Sequence, residues 1–163
     1  MRHALVIFLV TIIASCSLIT TATGAAEPKP FKGRIEHSKE LVVKPGKSAI
    51  LLTVHYPKGY HYTSEAPTSF DWKSADSTAL NFPKSASSFS FTKITFPISI
   101  PIKSVKGRSE ITIDASLFFC ENKSGVCLFD NVRLIVPIRV DKAGSDKLPI
   151  TLDASAPGGK EEL

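Results

Sequence analysis

Apolar and polar residues alternate with a period of two along most of the chain after residue 32. This period is typical of β-strands that bury one face, whereas a surface helix repeats its apolar positions every three to four residues. No segment longer than ten residues carries a helical stripe. The predicted strands are 49–56, 94–103, 111–119 and 132–140, with shorter ones at Arg34–His37, Glu40–Val43, Phe70–Lys73 and Leu148–Leu152.

Many short strands with one apolar face each predict an all-β domain. We expect an immunoglobulin-like antiparallel β-sandwich of about seven to nine strands, and a β-barrel is the alternative that fits the same pattern. Pro97 and Pro101 fall on the polar face of the predicted strand 94–103. Because proline cannot donate a ladder hydrogen bond, this strand is expected at the edge of a sheet.

The first 26 residues have a different composition from the rest. Arg2 precedes an apolar stretch, and small residues follow up to Ala26. This layout is typical of a secretory signal peptide, so we assign 1–26 to a signal, 27–152 to the β domain and 153–163 to a flexible tail.

The segment Ile13-Ala14-Ser15-Cys16 also resembles a bacterial lipobox, in which Cys16 carries the lipid. The protein is therefore expected to be periplasmic or secreted. A lipid anchor at Cys16 is the alternative, and it is the one membrane contact that we expect.

The charge of the chain does not predict a nucleic-acid partner. It has 20 Lys and Arg against 15 Asp and Glu, a formal net charge of +5. The basic residues stand singly, often beside acidic ones, which is typical of a solvated surface. His37, His55 and His61 show no short metal-ligand spacing, and no Gly-x-Ser-x-Gly motif occurs. We therefore expect no metal, no other cofactor and no hydrolytic chemistry.

Two of the three cysteines, Cys120 and Cys127, follow the predicted signal. An even pair in an oxidising compartment is most simply one disulfide. Cys120 ends one predicted strand and Cys127 begins the next, so the two face each other across the mouth of a hairpin. The alternation places both on outward faces, opposite Ile111, Ile113 and Leu117, and both sulfurs are expected near the surface.

The residues alone leave two interpretations of this pair open. A structural disulfide that closes a loop of about eight residues stabilises the fold by roughly 2–3 kcal/mol. An exchangeable pair would instead alternate between disulfide and dithiol.

Three blocks of sequence occur in order along the predicted β domain. The first runs from Tyr56 through Gly59-Tyr60-His61-Tyr62 to Ala66-Pro67, the second is Ile94–Ile98, and the third is Leu117–Val140 with both cysteines. Together they resemble the amino-terminal periplasmic domain of the thiol:disulfide interchange protein DsbD. The Gly-Tyr-His and Gly-Val-Cys motifs are also similar to the carboxy-terminal β domain of thioredoxin-like NHL-repeat proteins. The resemblance covers residues 33–140 and implies an immunoglobulin-like sandwich.

The resemblance also implies a function. By this resemblance, Cys120 and Cys127 would pass electrons between a membrane reductase and thioredoxin-like periplasmic proteins, and Tyr60 and Tyr62 would flank the pair. The activity would be that of a protein-disulfide reductase or interchange component. The sequence sets neither the direction of electron flow nor the cysteine that attacks.

An accessible disulfide needs apolar cover against small thiols. The candidates for this cover are Phe118, Phe129, Tyr60 and Tyr62. Phe89 and Phe91 lie in or beside the serine-rich segment 85–90, where they form either a movable flap or an anchor to the core.

Two short matches suggest a eukaryotic origin. Asn122-Lys123-Ser124 is a glycosylation sequon, and Lys160-Glu161-Glu162-Leu163 resembles an ER-retention tail. A glycan on Asn122 would obstruct a redox partner, and matches this short arise by chance. We favour a bacterial periplasm.

Overall fold

The computed structural model describes residues 30–83, 88–91 and 93–156. Contacts between Cα atoms divide the chain into two units, Met1–Pro30 and Phe31–Leu163. The β fold belongs to the second unit, and all regular secondary structure in the described ranges is strand.

The predicted signal, 1–26, and the last seven residues of the predicted tail lie outside the described residues. Within the described part, no helix is long and apolar enough to cross a membrane. The strands are β1 (Arg34–His37), β2 (Leu41–Val43), β3 (Gly46–His55), β4 (Tyr60–Tyr62), β5 (Thr68–Ser74), β6 (Leu80–Asn81), β7 (Ser88–Phe91), β8 (Ile98–Ser104), β9 (Gly107–Glu121), β10 (Cys127–Val140) and β11 (Lys147–Asp153).

The strands form two sheets that pack against each other. The larger sheet has the order β1-β10-β9-β5-β7, with β2 also paired to β10 and β4 also paired to β9; the smaller sheet has the order β11-β3-β8-β6. The long hairpin β9–β10 lies at the centre of the larger sheet. Its pairing runs without a break from Gly107–Val140 at one end to Cys120–Cys127 at the other.

The core lies between the sheets and is made of the apolar faces that the alternation predicts. Ile111, Ile113 and Leu117 of β9 are fully buried there, as are Ile50 and other residues of the smaller sheet. Burying one such side chain stabilises the fold by about 1.5–3 kcal/mol. The larger sheet therefore has an inner face in the core and an outer face that is left for other contacts.

The prediction of an all-β sandwich is confirmed, but the sheets are mixed rather than purely antiparallel. β1 and β2 run parallel to β10, and β11 runs parallel to β3. Alternation specifies which face of a strand is buried and does not specify the direction of its partner. Each of these parallel pairs joins strands that are far apart in sequence, as parallel pairing requires.

The predicted strand 94–103 begins later than expected, at Ile98. Pro97 has no N–H to donate, and residues 93–96, directly before it, are not in a strand. Its expected edge position is met only in part: β8 lies between β3 and β6 in the smaller sheet, but among the described residues β6 pairs with Lys103 and Ser104 alone. Ala49 directs its N–H to Asp146, so its opposite residue Pro101 turns its nitrogen towards the open edge.

Candidate functional site

The two cysteines form a disulfide at the turn end of the β9–β10 hairpin. The turn that joins the strands is closed by the N–H of Glu121, which donates to the Val126 carbonyl at 2.9 Å, and by the N–H of Gly125, which donates to the Glu121 carbonyl at 3.0 Å. Gly125 has a φ of 69°, a left-handed conformation that glycine adopts without strain. Ser124 adds a hydrogen bond from its hydroxyl to the Glu121 carboxylate. The turn therefore holds Cys120 and Cys127 directly opposite each other.

The disulfide lies on the outer face of the larger sheet, as the alternation predicts. Cys120 and Cys127 share that face with their neighbours Phe118 and Phe129, which form the next pair along the hairpin. Cys120 and Phe118 are buried but do not belong to the core cluster between the sheets, whereas the intervening Phe119 does.

The expectation that both sulfurs are accessible is wrong for Cys120. This residue is only 5% exposed, while Cys127 is half-buried. The carboxylate of Glu65 lies beside both sulfurs. One of its oxygens is 3.8 Å from Sγ of Cys127 and within 4.8 Å of Sγ of Cys120. Glu65 belongs to residues 63–67, which connect β4 and β5.

Phe118 and Phe129 are brought together beside the disulfide. Their ring centroids are 4.6 Å apart. Phe118 is 9% exposed, and its N–H donates to the hydroxyl of Thr68 at 3.3 Å. Phe129 is 58% exposed and Val126, in the turn, is 57% exposed. Cys127 is half-buried, and two exposed apolar side chains lie within two residues of it in the chain.

Tyr60 and Tyr62 do not lie on the face of the disulfide. They pair with Glu121 and Phe119, and it is His61 between them that pairs with Cys120. The ring of Tyr60 packs edge-on against Phe119 in the core, with centroids 5.6 Å apart. The flanking position implied by the resemblance therefore belongs to His61.

His61 was not identified as a site residue from the sequence. Its Nδ1 lies 2.6 Å from the amide oxygen of Asn122, on the exposed side of the hairpin end. Because an amide oxygen only accepts, Nδ1 donates in this bond. The period of two places His61 on the face opposite its two tyrosine neighbours, but only the pairing of β4 with β9 brings it to Cys120.

Tyr56 lies against the core, on the opposite side of the larger sheet from the disulfide. Tyr56 packs against Phe119 with centroids 5.5 Å apart, and its buried hydroxyl has no hydrogen-bond partner among the described residues. Burial, with a smaller contribution from Tyr62, raises the pKa of Tyr56 to about 12. Tyr56 is therefore a packing residue behind the disulfide.

Phe89 lies away from the disulfide. It is on β7, paired with Phe70, and its ring is 5.3 Å from that of Trp72. It packs against the core cluster, as the anchoring interpretation expects. The side chain of Phe91 and residues 84–87 lie outside the described part.

Polar pairs continue along the outer face beyond the aromatic pair. Ser116 donates to the amide oxygen of Asn131 at 2.8 Å, and Arg133 forms two hydrogen bonds with Asp114 at 2.6 and 2.7 Å. These bonds raise the pKa of Arg133, whose guanidinium also lies 4.3 Å from the ring centre of Phe31. These polar pairs separate the aromatic pair beside the disulfide from the exposed Ile35, which pairs with Arg133 on the same face.

The chain was compared with known proteins. No protein-family model matches it. A search of curated proteins gives no significant match either.

Proposed function

We propose that this domain is an exported thiol–disulfide exchange module that passes electrons to or from partner proteins through Cys120 and Cys127. One observation carries the proposal. The disulfide lies on the outer face of the sheet, where the half-buried Cys127 is within two residues of the exposed Phe129 and Val126. A disulfide that only stabilises the core does not need a position on the outer face.

The unequal burial of the two cysteines supports different roles for them. A partner thiolate attacks Sγ of the more accessible Cys127, forming a mixed disulfide, and Cys120 leaves as a thiolate that takes up a proton. A second partner thiolate then attacks the partner's own sulfur in the mixed disulfide and releases Cys127 as a thiolate. Two electrons and two protons pass to this domain, and the partner becomes a disulfide. Donation to a partner is the reverse sequence.

The surroundings indicate what kind of partner fits. Phe129 and Val126 offer an apolar rim, and apolar contacts between exposed side chains are what a thioredoxin-like protein or a membrane reductase would use to dock beside the sulfurs. The resemblance to the DsbD amino-terminal domain supports the same partners, an immunoglobulin-like arrangement of the sandwich, and a periplasmic location after removal of residues 1–26 or anchoring at Cys16. The enzyme class would be a protein-disulfide reductase component.

The deciding experiment is a measurement of the reduction potential of the Cys120–Cys127 pair in thiol buffers of set ratio. A potential above about −250 mV supports exchange, and one below about −300 mV assigns a structural disulfide. A matched pair of variants tests the assigned roles. Cys120→Ser leaves Cys127 free and should trap a mixed disulfide with a thioredoxin-like protein, whereas Cys127→Ser should trap much less.

The second candidate function is a non-catalytic β-sandwich binding or accessory domain with a structural disulfide. The observation that favours it is the burial of Cys120, which is only 5% exposed. Under this alternative, both single-cysteine variants lose stability and neither traps a partner.

A further inference from the structure

We propose that reduction of the disulfide creates a Zn²⁺ site made of the thiolates of Cys120 and Cys127 and the carboxylate of Glu65. The two cysteines would then either form a disulfide with each other or bind a metal ion together with Glu65. The inference goes beyond electron exchange, because it requires only that the disulfide can be reduced and needs no partner protein.

The three donor atoms are already close together. One carboxylate oxygen of Glu65 and the two sulfurs all lie within 4.8 Å of one another. In a tetrahedral zinc site with Zn–S near 2.3 Å and Zn–O near 2.1 Å, sulfur and oxygen are about 3.6 Å apart. The Glu65 oxygen lies 3.8 Å from Sγ of Cys127, close to that spacing.

The cysteines can supply the remaining geometry by side-chain rotation alone. Two thiolates on one tetrahedral zinc ion are about 3.8 Å apart. Cys120 and Cys127 face each other on neighbouring strands with Cα atoms 3.9 Å apart, so separated sulfurs can both point away from the same face. The backbone of the hairpin need not move.

The charges at this site also favour a cation after reduction. Two thiolates beside a carboxylate would place three negative charges together, which is unfavourable unless they are neutralised. In the described part of the chain, Glu65 takes part in no ion pair. A divalent ion of the soft to borderline class, for which thiolates are preferred ligands, meets this need.

The number of protein ligands is three, which leaves the fourth zinc position to water. His61 pairs with Cys120 but is not within the group of mutually close donors. Its Nδ1 is already bound to Asn122. His61 is therefore not a ligand of the proposed site.

The reaction balances as follows. A phosphine reductant and water convert the disulfide to two thiols and become a phosphine oxide. Zn²⁺ then displaces the two thiol protons, so two protons are released for each ion bound. The oxidised protein has no thiolate to offer and should not hold zinc at this site.

The test uses the full chain with Cys16→Ser, in which Cys120 and Cys127 are the only cysteines. The protein is reduced with a phosphine, freed of reductant without oxygen, and titrated with Zn²⁺ against a chromophoric chelator. We expect one ion per reduced chain, release of two protons, and no binding by the oxidised chain. Substitution with Co²⁺ should give a thiolate-to-metal charge-transfer band.

Variants then test the ligand set. Glu65→Gln should weaken zinc binding by about tenfold or more. Two matched controls should bind as the parent does: Glu121→Gln, because Glu121 is engaged with Ser124 within the turn, and His61→Ala. Equal zinc affinity for Glu65→Gln and the parent overturns the proposal, as does loss of binding in His61→Ala.

Two further results would also overturn it: no zinc bound by the reduced chain, or equal binding by the oxidised chain. If reduction alone unfolds the domain, added zinc must restore the near-ultraviolet circular dichroism at one ion per chain, and failure to do so rejects the site. The outcome is distinguishable from that of the exchange proposal. A disulfide with a potential too low for exchange is still reduced by the phosphine, and its zinc affinity can still be measured.

Discussion

The carboxylate of Glu65 lies 3.8 Å from the sulfur of Cys127, although the two residues are 62 positions apart in the chain. A disulfide sulfur carries no proton to donate, so this is a close contact between a negative group and the sulfur that we expect to be attacked. The attacking species in disulfide reduction is a thiolate, which is also negative. Glu65 should therefore slow reduction by anionic thiols.

We predict that Glu65→Gln speeds reduction of the disulfide by a small thiol about fivefold. Two unit charges 4 Å apart in water interact by about 1 kcal/mol, which corresponds to that factor. The rate is measured by thiol labelling during reduction with glutathione. The gain should shrink in 1 M salt, where the screening length is about 3 Å. With an uncharged phosphine as the reductant, the variant and the parent should react alike; a fivefold gain there would show that Glu65 acts by steric cover instead.

The exposed ring of Phe129 gives a second prediction. Phe129→Ala should raise the rate of reduction severalfold, because it opens the approach to Cys127, and should lower the free energy of unfolding by less than about 1 kcal/mol, since the ring is 58% exposed. The rate is measured by thiol labelling and the stability by urea unfolding.

Tyr60→Ala is the matched comparison for Phe129→Ala. Its ring packs on Phe119 behind the sheet, so the substitution should cost roughly 2–3 kcal/mol of stability and leave the native-state reduction rate unchanged. Our interpretation of the outer-face shield is wrong if Phe129→Ala reduces at the parent rate while Tyr60→Ala reduces faster in the native state.

The surroundings of the disulfide also show what could be predicted from the sequence. Alternation around Phe118 and Cys120 predicted the strand, its inner face and the outer position of the disulfide, because each depends only on neighbouring residues. It could not predict that Cys120 is buried or that Glu65 lies beside the sulfurs, since the position of residues 63–67 depends on the pairing of β4 and β5 with β9. The same long-range pairing places His61, rather than a tyrosine, beside Cys120.

The alternation of apolar and polar residues also does not predict the partner strand of β1. The sequence predicts its bounds, Arg34–His37, as they are observed. Its parallel partner, β10, lies about a hundred residues further along the chain. Arg34 supplies part of the reason for that pairing, because it binds the buried carboxylate of Asp130 on β10. A charge pair between distant residues has no signature in the local sequence.

That ion pair gives a third prediction. Asp130 accepts hydrogen bonds from Arg34 and from the N–H of Ser155, both at 2.8 Å, and its side chain is 9% exposed. Asp130→Asn should lower the free energy of unfolding by about 2–3 kcal/mol, because it removes the buried negative charge that binds Arg34 and leaves the guanidinium only its more exposed pair with Glu36.

The control for Asp130→Asn is Glu40→Gln. Glu40 pairs with Arg139 at 3.1 Å, but both side chains are about 40% exposed, so its loss should cost less than about 1 kcal/mol. Urea unfolding with an unchanged slope measures both variants. Equal losses in the two would show that burial of the Arg34–Asp130 pair has no effect on its strength.

The fourth prediction concerns alkaline pH and follows from Tyr56. Burial raises its pKa from 10.0 to about 12 in the folded protein. The unfolded chain therefore loses this proton near pH 10, while the folded chain keeps it until about pH 12. The stabilising contribution of the neutral phenol is fully present below pH 10 and is lost as pH rises through about 12.

Tyr56→Phe removes this titration. At pH 7 it should be as stable as the parent or slightly more so, because the buried hydroxyl has no hydrogen-bond partner among the described residues. Between pH 10 and 12 the parent should lose on the order of 1 kcal/mol more than the variant, a figure reduced to allow for the partial exposure of the ring. Urea unfolding at a series of pH values measures the difference, and tyrosinate absorbance of the native parent should show a step near pH 12 that the variant lacks. Parallel stability curves for the two proteins up to pH 12 would show that the phenol of Tyr56 ionises equally well in the folded and unfolded chain.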